Sequence, residues 1–265
     1  MTASGEPRRL TTQKQLREVF DQGFCYLCGR AWDLGDETNR DHVPPRRLFS
    51  AADRTPPLVL RTHVACNNGH SPYDEQIGQL VSLRWKASPG PQDVSSLQVS
   101  LCAPEGMVPF GAVEGLDLRF IIARWLKGFH AALYGEFLPR VSGAIHEPFP
   151  GGDAPGEDTT LHASHPVFVR EIRKNRAAGT LNRIVAYNGR LQFECVWSGL
   201  DDGRPMCLWA LDIYAWSLLA DVNNFVARSC VGWYLAVNGV PEAGARATRL
   251  EFPVESTDPL NAFEG

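Results

Sequence analysis

The spacing of hydrophobic and polar residues predicts two helices and two strands in the first ninety residues. Apolar residues recur at helical spacing after a capping-box pattern at Thr12 and after a serine–proline N-cap pattern at Ser71. Between these helices, two short runs lie next to double prolines, which cannot continue a strand ladder, and both runs are expected to be strands. The predicted elements are a helix from 12 to 22, strands over 38–43 and 58–60, and a helix from 71 to about 87.

Beyond the segment 88–91, which is rich in proline and glycine, the pattern changes to one long helix and several strands. Apolar residues at helical spacing predict the helix Leu118–Tyr134. Strands are predicted over 97–101, 167–169, 183–187, 191–197, 206–213 and 232–237, with a hairpin turn at Asn188-Gly189 and a loop over 148–158. The predicted fold class is α+β: an N-terminal unit, residues 1–90, precedes an α+β unit, residues 91–265, that has a helix and an antiparallel sheet.

The composition indicates a globular protein and excludes several classes. The chain has 265 residues, of which 44% are apolar, and this is enough to bury a sizeable core. No apolar stretch has the length of a membrane span, and the polar N-terminus lacks the apolar segment of a secretory signal. We therefore expect a cytoplasmic protein without membrane contact. The net charge of −4 argues against a wholly basic surface, although residues 1–90 carry a small excess of basic side chains.

Two pairs of metal-ligand residues have the same internal spacing. They are Cys25-Tyr-Leu-Cys28 and His63-Val-Ala-Cys66, and together they supply the four soft or borderline ligands that zinc prefers. Seven cysteines in a long chain without a secretory signal favour reduced thiols over a disulfide framework. We interpret the pairs as a Cys3His site for structural Zn²⁺. Burial of the cysteines as small hydrophobic residues, or a redox pair, are the alternatives.

The loop between these pairs carries Arg40-Asp41-His42 on a predicted strand. Neighbouring side chains of a strand point to opposite faces, so Asp41 and His42 cannot both reach the same atom. We expect Asp41 to bind a divalent cation and His42, whose imidazole titrates near neutrality, to deprotonate a water on the other side of a scissile phosphate. The alternative is an ordinary surface or core pair.

Three segments together resemble the HNH endonuclease family in its zinc-bound form with the ββα-metal fold. They are Cys-Tyr-Leu-Cys-Gly-Arg at 25–30, Arg-Asp-His-Val-Pro-Pro at 40–45 and His-Val-Ala-Cys-Asn-Asn-Gly at 63–69. The resemblance covers about residues 24–87 and implies that the N-terminal unit is a zinc-stapled nuclease domain. It implies that His42 is the general base and that Asp41 and Asn67 bind a catalytic Mg²⁺ or Mn²⁺. The implied activity is hydrolysis of phosphodiester bonds in double-stranded DNA, as in bacterial defence against foreign DNA.

Further residues near the motif are candidates for binding. His70 is close enough in sequence to Asn67 to reach the same divalent ion, with an exposed histidine as the alternative. Asp74 is either the capping carboxylate of the following helix or a metal ligand. Arg46 and Arg47 are candidates for contact with DNA phosphates, and a solvated pair is the alternative.

The chain departs from the family at one position. Where the family has a middle asparagine that orients the catalytic histidine, this chain has Thr55-Pro56-Pro57. The competing hypothesis is therefore a zinc-stabilised nucleic-acid-binding or adaptor module whose catalytic site has decayed and which acts with a partner protein. In either hypothesis residues 91–265 serve substrate selection, dimerisation or regulation, so a second copy of the chain or an effector protein joins DNA as an expected partner.

Overall fold

The computed structural model describes residues 7–20, 22–84, 98–102, 110–114, 118–139, 142–146, 170–172, 174–199, 205–213, 230–235, 241 and 247–254. The helices that position the site are α1 (Gln13–Val19), α2 (Val64–Asn68), α3 (Ser71–Arg84) and α4 (Leu118–Tyr134). Short 3₁₀ turns lie at Arg46–Leu48 and Ala51–Asp53. The strands are β1 (Arg8–Leu10), β2 (Thr38–His42), β3 (Val59–His63), β4 (Gln98–Cys102), β5 (Phe110–Glu114), β6 (Ser142–His146), β7 (Asn182–Ala186), β8 (Leu191–Gly199), β9 (Pro205–Ile213), β10 (Cys230–Leu235) and β11 (Thr248–Glu251).

Helix α1 begins as the capping-box pattern predicted. Thr12 Oγ1 accepts a hydrogen bond from the backbone N–H of Gln15 at 3.1 Å. In return, the Gln15 side chain accepts one from the backbone N–H of Thr12 at 3.2 Å. This reciprocal pair satisfies donors that the start of a helix leaves unpaired. The helix is followed by the first pair of cysteines.

The two predicted strands form the antiparallel hairpin β2–β3, and α2 and α3 follow it directly. In the register of this hairpin, Asp41 lies opposite Leu60 and His42 lies opposite Val59. Strand β3 continues to His63, beyond the predicted run of apolar residues. The second pair of metal-ligand residues therefore starts at the end of a strand and continues into a helix.

Glutamine side chains cover the outer edge of β3. The amide of Gln13 bonds both the N–H and the C=O of Val59, at 3.1 and 2.8 Å. Gln22 does the same for Arg61, at 3.0 and 2.8 Å. The polar backbone groups of this edge are thus satisfied without a third strand.

The main sheet has seven strands in the order β1-β11-β7-β8-β9-β10-β6. Its neighbours from β7 to β6 pair antiparallel, whereas β1 pairs parallel with β11 and β11 pairs parallel with β7. The expectation of an antiparallel sheet is therefore wrong at this edge. The reason is that two strands of three and four residues, too short to give a clear apolar pattern, join from distant parts of the chain. The mixed α and β character of the fold is as predicted.

Helix α4 lies between the hairpin and the main sheet. On the sheet side, the ring centroids of Phe129 and Phe193 are 4.6 Å apart. On the hairpin side, a Cβ added at Gly128 would come within 2.6 Å of Val43 Cγ1. Buried apolar side chains from residues 10–77 and from the main sheet consequently form one continuous cluster around this helix.

Three sequence predictions lie outside the described residues: the boundary at 88–91, the loop at 148–158 and the strand at 167–169. In the described part of the chain, every helix is too short or too polar to cross a lipid bilayer.

Candidate metal centre and active site

The first pair of cysteines lies on a tight turn. The backbone N–H of Gly29 bonds the carbonyl of Cys25 at 2.7 Å, and the N–H of Cys25 bonds the carbonyl of Arg30 at 2.9 Å. Gly29 has φ +80, which favours glycine, and a Cβ there would come within 2.4 Å of the Phe137 ring. The turn presents both thiols of the pair to one side.

The four predicted ligands meet at one point. Their ligand atoms, from Cys25, Cys28, His63 and Cys66, all lie within 4.8 Å of one another. The Nδ1 atom of His63 is 3.4 Å from Cys28 Sγ and 3.8 Å from Cys66 Sγ. Tetrahedral zinc with ordinary bond lengths places such a nitrogen and sulfur about 3.6 Å apart. The cluster can hold a metal ion, and both its spacing and its donor set fit zinc.

The electrostatics of the thiols also fit a cation. Burial opposes ionisation of Cys25, but hydrogen bonds from the Thr62 side chain and nearby backbone outweigh it and lower the pKa of this thiol to about 7. Burial, together with the charges of Cys25 and Cys28, raises the pKa of Cys66 to about 12. Three thiolates this close therefore repel one another, and a bound metal ion would supply the compensating positive charge.

Asp36 is a residue of this centre that the sequence analysis missed. Its Oδ2 is 3.1 Å from His63 Nε2, and its Oδ1 accepts a hydrogen bond from Arg30 at 2.6 Å. A histidine that ligates zinc through Nδ1 carries its proton on Nε2 and donates it to such a carboxylate. Trp32 packs edge-on against the same imidazole at 4.9 Å between ring centroids. The spacing of the ligands gave no signal for either residue, because both lie in the loop between the pairs.

Asp41 lies on the buried face of β2 and is paired twice. It is 5% exposed. Its Oδ2 accepts a hydrogen bond from the Tyr26 hydroxyl and another, at 2.8 Å, from Nη2 of Arg124 on α4. Burial and the Asp41 charge hold the pKa of Tyr26 well above its usual range, so the phenol remains a donor.

Arg124 brings together the residues predicted to bind the divalent ion. Besides Asp41, its Nη2 lies 3.3 Å from Asn67 Oδ1, and its Nη1 donates to Asp74 Oδ1 at 2.6 Å. Burial and the neighbouring Asp41 raise the pKa of Asp74 to about 6 in spite of the arginine. The oxygens of Asp41 and Asn67 thus converge on Nη2 of Arg124, which is a cationic group of the protein itself.

These residues do not fit a divalent ion as they stand, because the guanidinium of Arg124 lies where their oxygens converge. A catalytic Mg²⁺ or Mn²⁺ gains no support from this arrangement and stays a prediction. Nothing in the sequence pointed to Arg124, which follows Asp41 by 83 residues along the chain.

His70 lies beside the same group. Its ring stacks on Phe120 at 5.3 Å, and its Nδ1 is buried without a hydrogen-bond partner among the described residues. Burial, and then the positive charge of Arg124, lower the pKa of His70 to about 4. The imidazole is therefore neutral near pH 7.

His42 lies on the face of β2 opposite Asp41 and is half-buried. Burial and then the charge of Arg46 lower its pKa from the ordinary value, so the imidazole is neutral near pH 7 and can accept a proton. Within the described residues, no side chain forms a hydrogen bond with the ring. Arg46 and Arg47 are both exposed, and the stem of Arg47 packs against Gly78 of α3.

Two further arginines share this face of the hairpin. Arg40 and Arg61 are directly opposite each other in the register of β2 and β3, and both are exposed. The Arg61 guanidinium lies 4.6 Å above the Trp32 ring, and its Nε donates to Thr38 Oγ1 at 3.1 Å. With Arg17 of α1 they line a cleft of about 440 Å³, whose lining residues include no Asp or Glu. Arg40 and Arg61 therefore give a positive charge to the hairpin face that also carries His42.

Comparison with known proteins finds no matching family model, no similar curated protein and no similar solved structure.

Proposed function

We propose that residues 24–84 form a zinc-stapled HNH-type nuclease module that hydrolyses phosphodiester bonds of double-stranded DNA. In this proposal Cys25, Cys28, His63 and Cys66 hold a structural zinc ion, which fixes the hairpin ends and the start of α2. The zinc contributes to folding and takes no part in the reaction. Helix α4 contacts the module through Arg124, Lys127 and Gly128.

The observation that carries the proposal is the environment of His42. A neutral imidazole without a hydrogen-bond partner among the described side chains lies on the same hairpin face as Arg40 and Arg61, and Arg46 is near enough to lower its pKa. Arginines bind backbone phosphates, and a neutral imidazole can take the proton of a water that attacks the phosphorus. The bond from phosphorus to the leaving sugar oxygen then breaks, and that oxygen takes a proton from bulk water.

The two arginines favour a polyanionic substrate for a second reason. Like charges directly opposite each other on neighbouring strands destabilise a sheet. The Arg40–Arg61 pair has this arrangement, and the lining of the adjoining cleft contains no carboxylate. A phosphate backbone along the face would relieve that repulsion, because each phosphate neutralises a positive charge.

Cleavage of supercoiled plasmid DNA by the purified protein tests this function. The assay compares wild type, His42→Ala and the exposed control Asn68→Ala, in buffers with and without Mg²⁺ or Mn²⁺. We expect wild type and Asn68→Ala to cut equally and His42→Ala to be slower by about 10²–10⁴-fold, the usual contribution of a general base. Equal cutting by His42→Ala, with its zinc content intact, would eliminate the mechanism.

Arg124 favours a second candidate function, a zinc-stabilised DNA-binding or adaptor module without cleavage activity. The guanidinium occupies the point where the oxygens of Asp41 and Asn67 converge, and Arg124 is 5% exposed. The same plasmid assay separates the candidates. If wild type binds the plasmid but does not cut it under any metal condition, the adaptor is favoured. If wild type neither binds nor cuts DNA, both candidates are contradicted.

A further inference from the structure

The surroundings of Arg124 form a complete cation site. Two carboxylates and one amide oxygen, from Asp41, Asp74 and Asn67, lie within 3.3 Å of its terminal nitrogens. The neutral ring of His70 is close enough for the charge of Arg124 to lower its pKa. Oxygen donors of this kind, with two negative charges, are also the ligands that Mg²⁺ and Mn²⁺ take.

The guanidinium is strongly held in this position. The Arg124 side chain is 4% exposed, and its two terminal nitrogens bond different carboxylates. The Tyr26 hydroxyl donates to the same Asp41 oxygen and further restrains that carboxylate. A divalent ion could enter only if the guanidinium left both partners, and a buried charge without a partner is strongly destabilising.

The position of Arg124 along α4 explains why the guanidinium cannot easily move aside. One turn further along the helix, Gly128 is in close contact with Val43, which directly follows His42. Lys127 donates to the carbonyl of Leu27 at 3.2 Å, between the two cysteines of the first pair. The helix is thus held both by the cysteine turn and by the residue that follows β2.

We propose that Arg124 is the resident cation of the Asp41–Asn67 site and excludes divalent metal ions from it in the free protein. The inference rests on the proposed assignment of Asp41 and Asn67 as cation-binding residues. It is independent of whether the protein cuts DNA, since it concerns which cation these residues hold.

Titration of the zinc-loaded protein with Mn²⁺, followed by the electron paramagnetic resonance signal of free Mn²⁺, tests the proposal. The variants are Arg124→Met, which keeps the stem but removes the charge, and the same change combined with Asn67→Ala. We expect Mn²⁺ binding to wild type to be weak and to be unchanged by Asn67→Ala. Arg124→Met is expected to bind one ion at least tenfold more tightly than wild type, and Asn67→Ala should remove that gain.

Wild type supplies a decisive comparison even if Arg124→Met does not fold. Asn67→Ala and the matched exposed control Asn68→Ala are titrated beside it. Mn²⁺ binding to wild type that is weakened tenfold by Asn67→Ala but not by Asn68→Ala would overturn the proposal, because the metal would then displace the arginine. Equal titrations for all three proteins support it. No DNA is present, so this outcome is separate from the plasmid result.

Discussion

At the scale of single residues, Tyr26, Asp41 and Arg124 form a buried group with Asp41 as the shared hydrogen-bond acceptor. The phenol and the guanidinium both donate to one carboxylate oxygen of Asp41. Buried charges are tolerated only when they are paired and hydrogen-bonded, so a residue predicted to bind metal has a structural partner of opposite charge. Asp36 plays a comparable part at the other end of the hairpin, where it orients His63.

The metal centre gives the first prediction. Cys28→Ser replaces a soft thiolate by a hydroxyl that zinc binds poorly, so the zinc content should fall from about one ion per chain to a small fraction. The melting temperature should fall on the order of 10 °C, because several kcal/mol of ligation are lost. Elemental analysis and a thermal melt measure both quantities. Asn68→Ser, at an exposed position beside the centre, is the control, and a zinc-free wild type that melts normally would refute the assignment.

His130 predicts a pH dependence of stability. This residue is 3% exposed, and burial lowers the pKa of its imidazole to about 4, against about 6.5 in an unfolded chain. Because the folded pKa is the lower one, the unfolded chain binds more protons between these values. The stabilisation is complete above pH 6.5 and is lost as the pH falls towards 4, by about 3 kcal/mol in all.

The comparison variant for this prediction is His130→Gln, whose amide can still bond the Tyr234 hydroxyl as His130 Nδ1 does at 3.0 Å. Free energies of unfolding from denaturant titrations between neutral and acidic pH give the measurement. Protonation of the zinc ligands affects wild type and His130→Gln alike. The contribution of His130 is therefore the difference between their free energies of unfolding at each pH. Profiles that stay parallel down to low pH would contradict the assignment.

At the scale of elements, α4 connects the hairpin to the sheet. Gly128 permits the close approach, since a Cβ there would lie 2.6 Å from Val43 Cγ1 and 3.1 Å from Cγ2. Arg124 lies one helical turn earlier and therefore depends on this contact for its reach to Asp41. The hairpin, α2 and α3 supply the acidic and amide partners, and α4 supplies the cation.

This contact predicts a coupling between Gly128 and Val43 in a double-mutant cycle. Gly128→Ala should destabilise the wild-type chain, because the clash costs about 1–3 kcal/mol and exceeds the gain in helix propensity. In a Val43→Ala background the same substitution should cost much less, since the methyl groups at 2.6 and 3.1 Å are gone and only the Cβ of residue 43, at 3.3 Å, stays in tight contact. Denaturant unfolding of the four proteins measures the cycle. Equal effects in both backgrounds would show that α4 does not press on Val43.

At the scale of the whole molecule, a net negative charge coexists with one basic cleft. The chain has a formal net charge of −4, yet Arg40, Arg61 and Arg17 line one cleft without a carboxylate among them. Under the proposed function, DNA should therefore bind along the hairpin face that carries His42, where these arginines attract its phosphates.

The predicted consequence is a change in salt dependence. The double variant Arg40→Ala, Arg61→Ala should bind a short fluorescent DNA duplex more weakly. The slope of log affinity against log salt should fall by about 2, since each phosphate that an arginine no longer neutralises lowers the slope by roughly 0.9. Fluorescence anisotropy at several salt concentrations measures the slope. Arg9→Ala, an arginine on β1 outside the cleft, should leave it unchanged. An unaltered slope in the double variant would place the DNA elsewhere.

The predictions from sequence succeeded where a local pattern fixes a local structure. The capping box at Thr12, the strand pair and helix Leu118–Tyr134 follow from short-range rules of hydrogen bonding and periodicity. Strands β1, β5, β6 and β11 were missed. For β1 and β11 the reason is that three or four residues carry too little pattern and their pairing partners are far away in sequence. Asp36 and Arg124 were missed as site residues for a related reason: isolated charged residues have no recurrent spacing.

The sequence by itself predicted the cluster of four possible metal ligands, since the pairs Cys25-x-x-Cys28 and His63-x-x-Cys66 lie on a turn and on the end of a hairpin whose local geometry is specified by short-range patterns. It also placed Asp41 and His42 on opposite faces of one strand. Only the tertiary structure decided what Asp41 and Asn67 hold. That depends on α4, which packs against the hairpin through the close approach of Gly128 to Val43 and brings Arg124 to their oxygens. Contacts between residues distant in the chain are set by the burial of a common core, which no local pattern records.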